Sequence, residues 1–233
     1  MRRKLGLIGG VSPESTVEYY QYIVHNYQKR YGDLHFPEII IYSMRFQELV
    51  DWGNADQWDR IIDEIVRAGK SLEAAGAEGL MLTANTLHYV VEEFKAGVNV
   101  PVISIVDVTG EEIEKAGLKK VSLVGTKFTM NFPFYRDILA KRDIEVIVPA
   151  DADRKIVSDI IFDELVKGIF KEESRDANLS VLGNLEKMGA EGHILGCSEI
   201  PLLVKPEDTD LPQFNTTEIH AEAGLQFAMG DEA

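Results

Sequence analysis

A weak internal repeat constrains this chain more than any other feature. Arg3-Lys4-Leu5-Gly6-Leu7-Ile8-Gly9-Gly10 resembles Lys119-Lys120-Val121-Ser122-Leu123-Val124-Gly125-Thr126, displaced by 116 residues. Gly76-Ala77-Glu78-Gly79 recurs as Gly189-Ala190-Glu191-Gly192, displaced by 113, and Pro101 has a counterpart in Pro212, displaced by 111. Three landmarks in one order, each shifted by about half of the 233 residues, imply two similar halves.

Within each half, apolar segments of strand length alternate with segments of helical spacing. Strands are expected over 4–8, 38–43, 79–82, 100–106, 121–124, 144–148, 192–195 and 213–214. Helices are expected over 14–27, 58–75, 110–116, 155–168 and 179–188, the first capped by Ser12 with Pro13 at its first position. This alternation implies βαβ units. The expected fold is α/β, with two pseudo-symmetric domains of mostly parallel sheet and a cleft between them. Residues 1–100 and 210–233 would form the N-terminal half and 101–209 the C-terminal half.

In open α/β sheets a ligand sits beyond the carboxyl ends of the strands. Those ends are Gly9-Gly10-Val11-Ser12, Ser43-Met44-Arg45, Thr83-Ala84-Asn85-Thr86, Thr126 with Thr129, and Gly196-Cys197-Ser198-Glu199. Under the repeat, Ala84 is the twin of Cys197. Cys197 follows a strand and precedes an expected helix from Glu199, where unpaired amides would favour its thiolate as nucleophile or base. It could equally be a buried, inert thiol. Asn85, Thr86, Thr126 and Thr129 offer amide and hydroxyl donors for a carboxylate or phosphate, or they cap helices. Arg45 is the best-placed reader of a substrate carboxylate, and His88 could orient a site group.

Charge and cysteine count exclude several classes. The net charge of -15, from 24 basic and 39 acidic residues, disfavours nucleic-acid and membrane-surface binding. The single cysteine allows neither an intramolecular disulfide nor a cysteine-based zinc site. None of the five histidines has metal-ligand spacing, so no metal is expected. Gly6-x-x-Gly9-Gly10 is not the dinucleotide fingerprint, and there is no P-loop. The apolar stretch behind Met1-Arg2-Arg3-Lys4 is too short for a secretory signal, and no run approaches a membrane span. A soluble cytoplasmic protein is expected.

Assembled, these residues resemble the aspartate/glutamate racemase family, in its aspartate racemase branch. The resemblance runs through Gly9-Gly10-Val11-Ser12-Pro13-Glu14-Ser15-Thr16 with Tyr19-Tyr20, Gly76-Ala77-Glu78-Gly79, and Asn85-Thr86-x-His88. It continues through Gly125-Thr126-x-x-Thr129-Met130, Ile161-Phe162-Asp163-Glu164-Leu165, Gly196-Cys197-Ser198-Glu199-Ile200 and Thr217-Glu218-Ile219-His220-Ala221-Glu222. It implies racemisation or epimerisation of a small acidic amino acid without pyridoxal phosphate, metal or other cofactor, in a homodimer. Two thiols, one from each domain, would act on opposite faces of a planar carbanion, and donors aimed at the α-carboxylate would stabilise it. It places Cys197 as one acid/base and Ser12, Arg45, Asn85, Thr86, Thr126, Thr129, Ser198 and Glu199 around the substrate.

The chain departs from that pattern where the second thiol should stand. The residue before Asn-Thr is usually Cys in the family, sometimes Thr, and here it is Ala84, which transfers no proton. Thr83, one position earlier, is the remaining candidate, although a continuing strand would turn it away from the cleft. Three readings follow: a racemase in which Thr83, a water or another group replaces the thiol; a single-cysteine decarboxylase of a substituted malonate; or a non-catalytic binder of small dicarboxylates.

Overall fold

The computed structural model describes residues 2–230. In chain order the elements are β1 (Leu5–Gly9), α1 (Pro13–Tyr31), β2 (Ile39–Ser43), α2 (Phe46–Asn54), α3 (Trp58–Ala74), β3 (Gly79–Leu82), α4 (Val91–Gly97), β4 (Val102–Ile103) and α5 (Ile105–Lys115). They continue with β5 (Lys120–Gly125), α6 (Lys127–Asn131), α7 (Phe134–Ala140), β6 (Glu145–Ile147), α8 (Asp151–Asp163), α9 (Glu172–Lys187), β7 (His193–Gly196), α10 (Ile200–Leu203), β8 (Gln213–Asn215) and α11 (Thr216–Met229). The fold is α/β with two four-stranded sheets, ordered β2-β1-β3-β4 and β6-β5-β7-β8, and every pairing is parallel. The chain divides into two compact units. One runs up to Ile105 and resumes at His220; the other is Val106–Ile219.

The two sheets share one strand order, and their registers agree with the repeat. Leu7 pairs with Met81 and Leu123 with Ile194, so the shift of 116 on the central strands becomes 113 on their neighbours. Gly-Ala-Glu-Gly recurs because each position has a physical requirement. Gly76 and Gly189 adopt φ of +95° and +92°, a backbone that favours glycine. Ala77 and Ala190 are buried. Glu78 Oε2 accepts the Lys4 N–H at 2.8 Å, and Glu191 Oε2 accepts those of Lys119 and Lys120 at 2.6 and 3.0 Å. Each glutamate thereby satisfies amides where the central strand begins. A Cβ on Gly79 would lie 2.4 Å from the Phe227 ring, and one on Gly192 would lie 3.0 Å from that of Phe214.

In the first unit both faces of the sheet are covered. Leu5, Leu7 and Met81 pack with Tyr19, Ile23 and Tyr27 of α1 and with Ala221, Leu225 and Ala228 of α11. Ile8, Leu80 and Leu82 pack with Ile61, Ile65 and Leu72 of α3 and Phe94 of α4. Burial on both faces explains why these strands read as continuous apolar runs. In the second unit Val124 and Leu195 pack against α8 and α9 through Val157, Ile161, Val181, Leu182 and Leu185.

Several boundaries differ from expectation. The segment 100–106 contains only the two-residue β4, and α5 already begins at Ile105. A short buried apolar run suits a helix as well as a strand, and Ile105 and Val106 are buried. α8 and α9 begin earlier than their apolar spacing indicates, each opening on acidic residues that suit a helix N-terminus. The short helices α2, α4, α6 and α7 and the fourteen-residue α11 were not expected. Among the described residues no helix is long and apolar enough to cross a membrane.

Candidate active site

At the exit of β1, Gly10 takes φ +81°, and a Cβ there would lie 2.6 Å from Met44 backbone atoms. Glycine therefore lets this exit press against that of β2. The Gly10 N–H donates to Thr16 Oγ1 at 2.8 Å. Ser12, 5% exposed, caps α1 by accepting the Ser15 N–H at 3.3 Å.

β3 ends at Leu82, and Thr83 is tied back onto β1. Its N–H and its hydroxyl both donate to Ile8 O, at 3.0 and 3.1 Å, while its carbonyl accepts the Ser15 hydroxyl at 3.2 Å. Ala84 follows, half-buried, then buried Asn85 and half-buried Thr86, which opens a 3-10 turn over Thr86–Val90. His88 is buried beneath that turn. Its Nδ1 lies 3.0 Å from Ala84 O, and its Nε2 accepts the Ile105 N–H at 3.1 Å. The His220 ring stands edge-on to it at 5.8 Å.

Arg45 follows the exit of β2. At the start of α2, its side chain is 84% exposed and pairs with Glu48 at 3.0 Å.

In the second unit, Gly125 and Gly196 face each other on β5 and β7, so Thr126 and Cys197 leave adjacent strands at one level. Thr126 accepts the Thr129 N–H at 3.3 Å, and the two hydroxyls are 3.1 Å apart. Buried Thr129 packs over Gly196, where a Cβ would meet its methyl at 3.1 Å. Cys197 is 8% exposed and donates its thiol to Glu199 Oε2 at 3.0 Å; the Ser198 hydroxyl donates to the same oxygen at 2.8 Å. The helix behind, α10, has four residues, with Glu199 at its N-cap position. A single turn sums few peptide dipoles, so the helix-terminus support expected for the thiolate is small.

Ladder register fixes the twin of Cys197. Continued beyond the sheets, the pairings that match Met81 to Ile194 match Thr83 to Gly196 and Ala84 to Cys197. No group of three or more His, Cys, Asp or Glu side chains is placed to hold a metal among the described residues.

A family model described as Asp/Glu/Hydantoin racemase matches residues 8–224. The chain belongs to that family. A crystal structure from Yersinia pestis is similar over 97% of this chain and 99% of its own, at 42% identity and a TM-score of 0.91. The structure described as an aspartate racemase homologue from Pyrococcus horikoshii is similar at 38% identity and a TM-score of 0.85, covering 97% and 99%. The Bacillus subtilis protein named "Broad specificity amino-acid racemase RacX" is 30% identical over 146 residues, 61% of this chain and 63% of that protein. The match thus spans less than two thirds of the Bacillus relative's length.

In this racemase-family chain, Ser12, Thr83, Asn85 and Thr86 gather at the exits of the first sheet. Thr126, Thr129, Cys197, Ser198 and Glu199 gather at those of the second. The pairing of His88 with His220 and Tyr19 was not expected from single residues. Its signal lay in the runs Tyr19-Tyr20 and Thr217–Glu222, where Tyr19 and His220 lie on the buried faces of α1 and α11.

Proposed function

We propose that this racemase-family chain interconverts the enantiomers of an acidic amino acid, aspartate or glutamate, with Cys197 as one acid/base. The observation that carries the reading is the thiol at the exit of β7, buried beside Glu199 and level with Thr126. Glu199 orients the thiol, and its oxygen accepts from Ser198 as well, so the carboxylate stays fixed when the thiol proton leaves. Thr126, Thr129, Ser12, Asn85 and Thr86 are the proposed donors to the substrate carboxylates. Those donors matter most when negative charge builds on the carbanion. No cofactor enters the reading.

Thr83, acting through its hydroxyl or a water held by it, is the proposed second proton carrier. To act, the hydroxyl must exchange its bond to Ile8 O. Arg45 reads the distal carboxylate in this proposal, on releasing the exposed Glu48.

A second reading is favoured by one specific observation: the register twin of Cys197 is Ala84, so only one exit carries a thiol. A single-cysteine decarboxylase of a substituted malonate, or a binder of small dicarboxylates without turnover, needs no second thiol.

The test is α-proton exchange in deuterated water with L- and D-aspartate and L- and D-glutamate, followed by proton NMR and chiral chromatography. Exchange with inversion supports the racemase. Exchange with retention means Cys197 works one face alone. Absence of exchange with all four substrates overturns the reading, and carbon dioxide release from a substituted malonate then separates the decarboxylase from the binder.

A further inference from the structure

We propose that His88 is a positioning residue: by bridging the Ala84 carbonyl to the Ile105 amide it fixes the β3 exit that carries Asn85 and Thr86. Its kinetic consequences rest on the racemase reading; its structural consequences do not.

The ladder between β3 and β4 ends with Met81 opposite Ile103. Three residues on, the chain reaches Ala84, beyond that pairing. There the His88 ring supplies the cross-link, with Nδ1 3.0 Å from Ala84 O and Nε2 3.1 Å from the Ile105 amide nitrogen. The two partners define one tautomer. A carbonyl needs a donor, so Nδ1 carries the proton; an amide N–H needs an acceptor, so Nε2 is bare. A doubly protonated ring would set Nε2–H against the Ile105 N–H.

The far end of the bridge is itself held. His220 Nε2 donates to Ile103 O at 2.9 Å, and its Nδ1 accepts the Tyr19 hydroxyl at 2.8 Å. Burial lowers the His220 pKa to about 3, so this second ring stays neutral and keeps its pattern. The two rings together hold the chain from Ile103 to Ile105, and His88 passes that rigidity to the exit.

Two substitutions separate the two ends of the bridge. In His88→Asn the amide nitrogen falls near the Nδ1 position and keeps the Ala84 bond. In His88→Gln the amide oxygen reaches the Nε2 position and keeps the Ile105 bond. Both remove ring volume and leave one buried group unpaired, so both lower the melting temperature. Each variant cuts the bridge at one end, so the expected kcat falls about 10–100-fold in both with a smaller change in KM, the scale of misplaced donors. A kcat within about threefold of wild type in either folded variant would overturn the proposal.

Two further measurements need no turnover. Imidazole nitrogen NMR of the wild type should show a protonated Nδ1 and a bare Nε2 at His88, and the reverse tautomer would overturn the bridge. Amide hydrogen exchange at Asn85 and Thr86 should accelerate in both variants; wild-type rates in either would also overturn it. A wild type that exchanges no substrate α-proton refutes the racemase reading and leaves these two measurements to decide.

Discussion

The strand that presents Cys197 is anchored to its neighbour by a rung that can be transplanted between the two halves. In the second unit Ser122 pairs with His193 across β5 and β7, both fully buried. The Ser122 hydroxyl donates to Nδ1 at 2.7 Å, and Nε2–H donates to Glu186 Oε1 at 3.1 Å. The same rung of the first unit holds Gly6 opposite Leu80, where a Cβ on Gly6 would lie 2.7 Å from Leu80 Cδ2. Ser122→Gly leaves a buried imidazole acceptor unpaired, about 1–3 kcal/mol. It also adds about 0.5–1 kcal/mol for glycine in a strand. His193→Leu leaves a buried hydroxyl unpaired, again about 1–3 kcal/mol, and presses Leu on the serine Cβ. The double variant recreates the Gly6–Leu80 rung and should lie within about 1 kcal/mol of wild type, so the singles couple by at least about 1.5 kcal/mol. Urea unfolding at constant m measures this, with melting shifts of about 2–4 °C per kcal/mol for a chain this long. The pH dependence has a definite sign. Burial lowers the His193 pKa from its ordinary 6.5. Its neutral form therefore stabilises the fold above pH 6.5, and that contribution fades as pH falls, because the unfolded chain takes up the proton first. The double variant should lose this acid sensitivity. Single variants no less stable than the double, at neutral pH, would refute the reasoning.

Four other outcomes are expected. Cys197→Ala should remove α-proton exchange by about 100-fold or more, with little loss of melting temperature because Glu199 keeps the Ser198 hydroxyl; undiminished exchange would remove Cys197 from the chemistry. Ala84→Cys should raise inversion about tenfold or more if a missing proton carrier limits the rate. No gain in a well-folded variant means another group already serves. Arg45→Ala should weaken binding of aspartate and glutamate while sparing uncharged analogues, and equal weakening of both sets would contradict its assignment to the distal carboxylate. Light scattering should give twice the monomer mass; a monomer would dismiss the proposed homodimer.

Much of the architecture was legible because the chain carries its own comparison. Gly-Ala-Glu-Gly marks a left-handed turn, a buried alanine, a carboxylate on strand-start amides and a crowded glycine, and all four requirements occur in both halves. Ser12 and Pro13 marked the start of α1 correctly. The segment 100–106 misled, because a strand of two residues and the first turn of a buried helix make one apolar run. At the site, the residues at the strand exits follow from the strand ends, but their partners do not. That the Thr83 hydroxyl turns to Ile8 O, that Glu199 gathers the Cys197 thiol, and that Arg45 pairs with Glu48 on the surface all depend on contacts that spacing does not encode.

The two halves also show which positions are free to differ. A polar rung differs at both partners: where Ser122 replaces Gly6, His193 replaces Leu80, because a buried rung must fill its volume and satisfy its polar atoms at once, whereas the apolar rung Leu7–Met81 differs from Leu123–Ile194 at one partner only. Ala84 and Cys197 lie beyond the last ladder pairings of their sheets and have no cross-strand partner to match. Thr83 stands where the second half has Gly196, and it consumes its hydroxyl on Ile8 O; Gly196 instead leaves room for the Thr129 methyl. Ala84 stands where the second half has Cys197. Chemistry can therefore be removed from one exit, or returned to it, without disturbing the sheet beneath. For that reason Ala84→Cys is expected to fold, whereas a polar residue placed alone at Leu80 is not, since Gly6 offers no group to receive it.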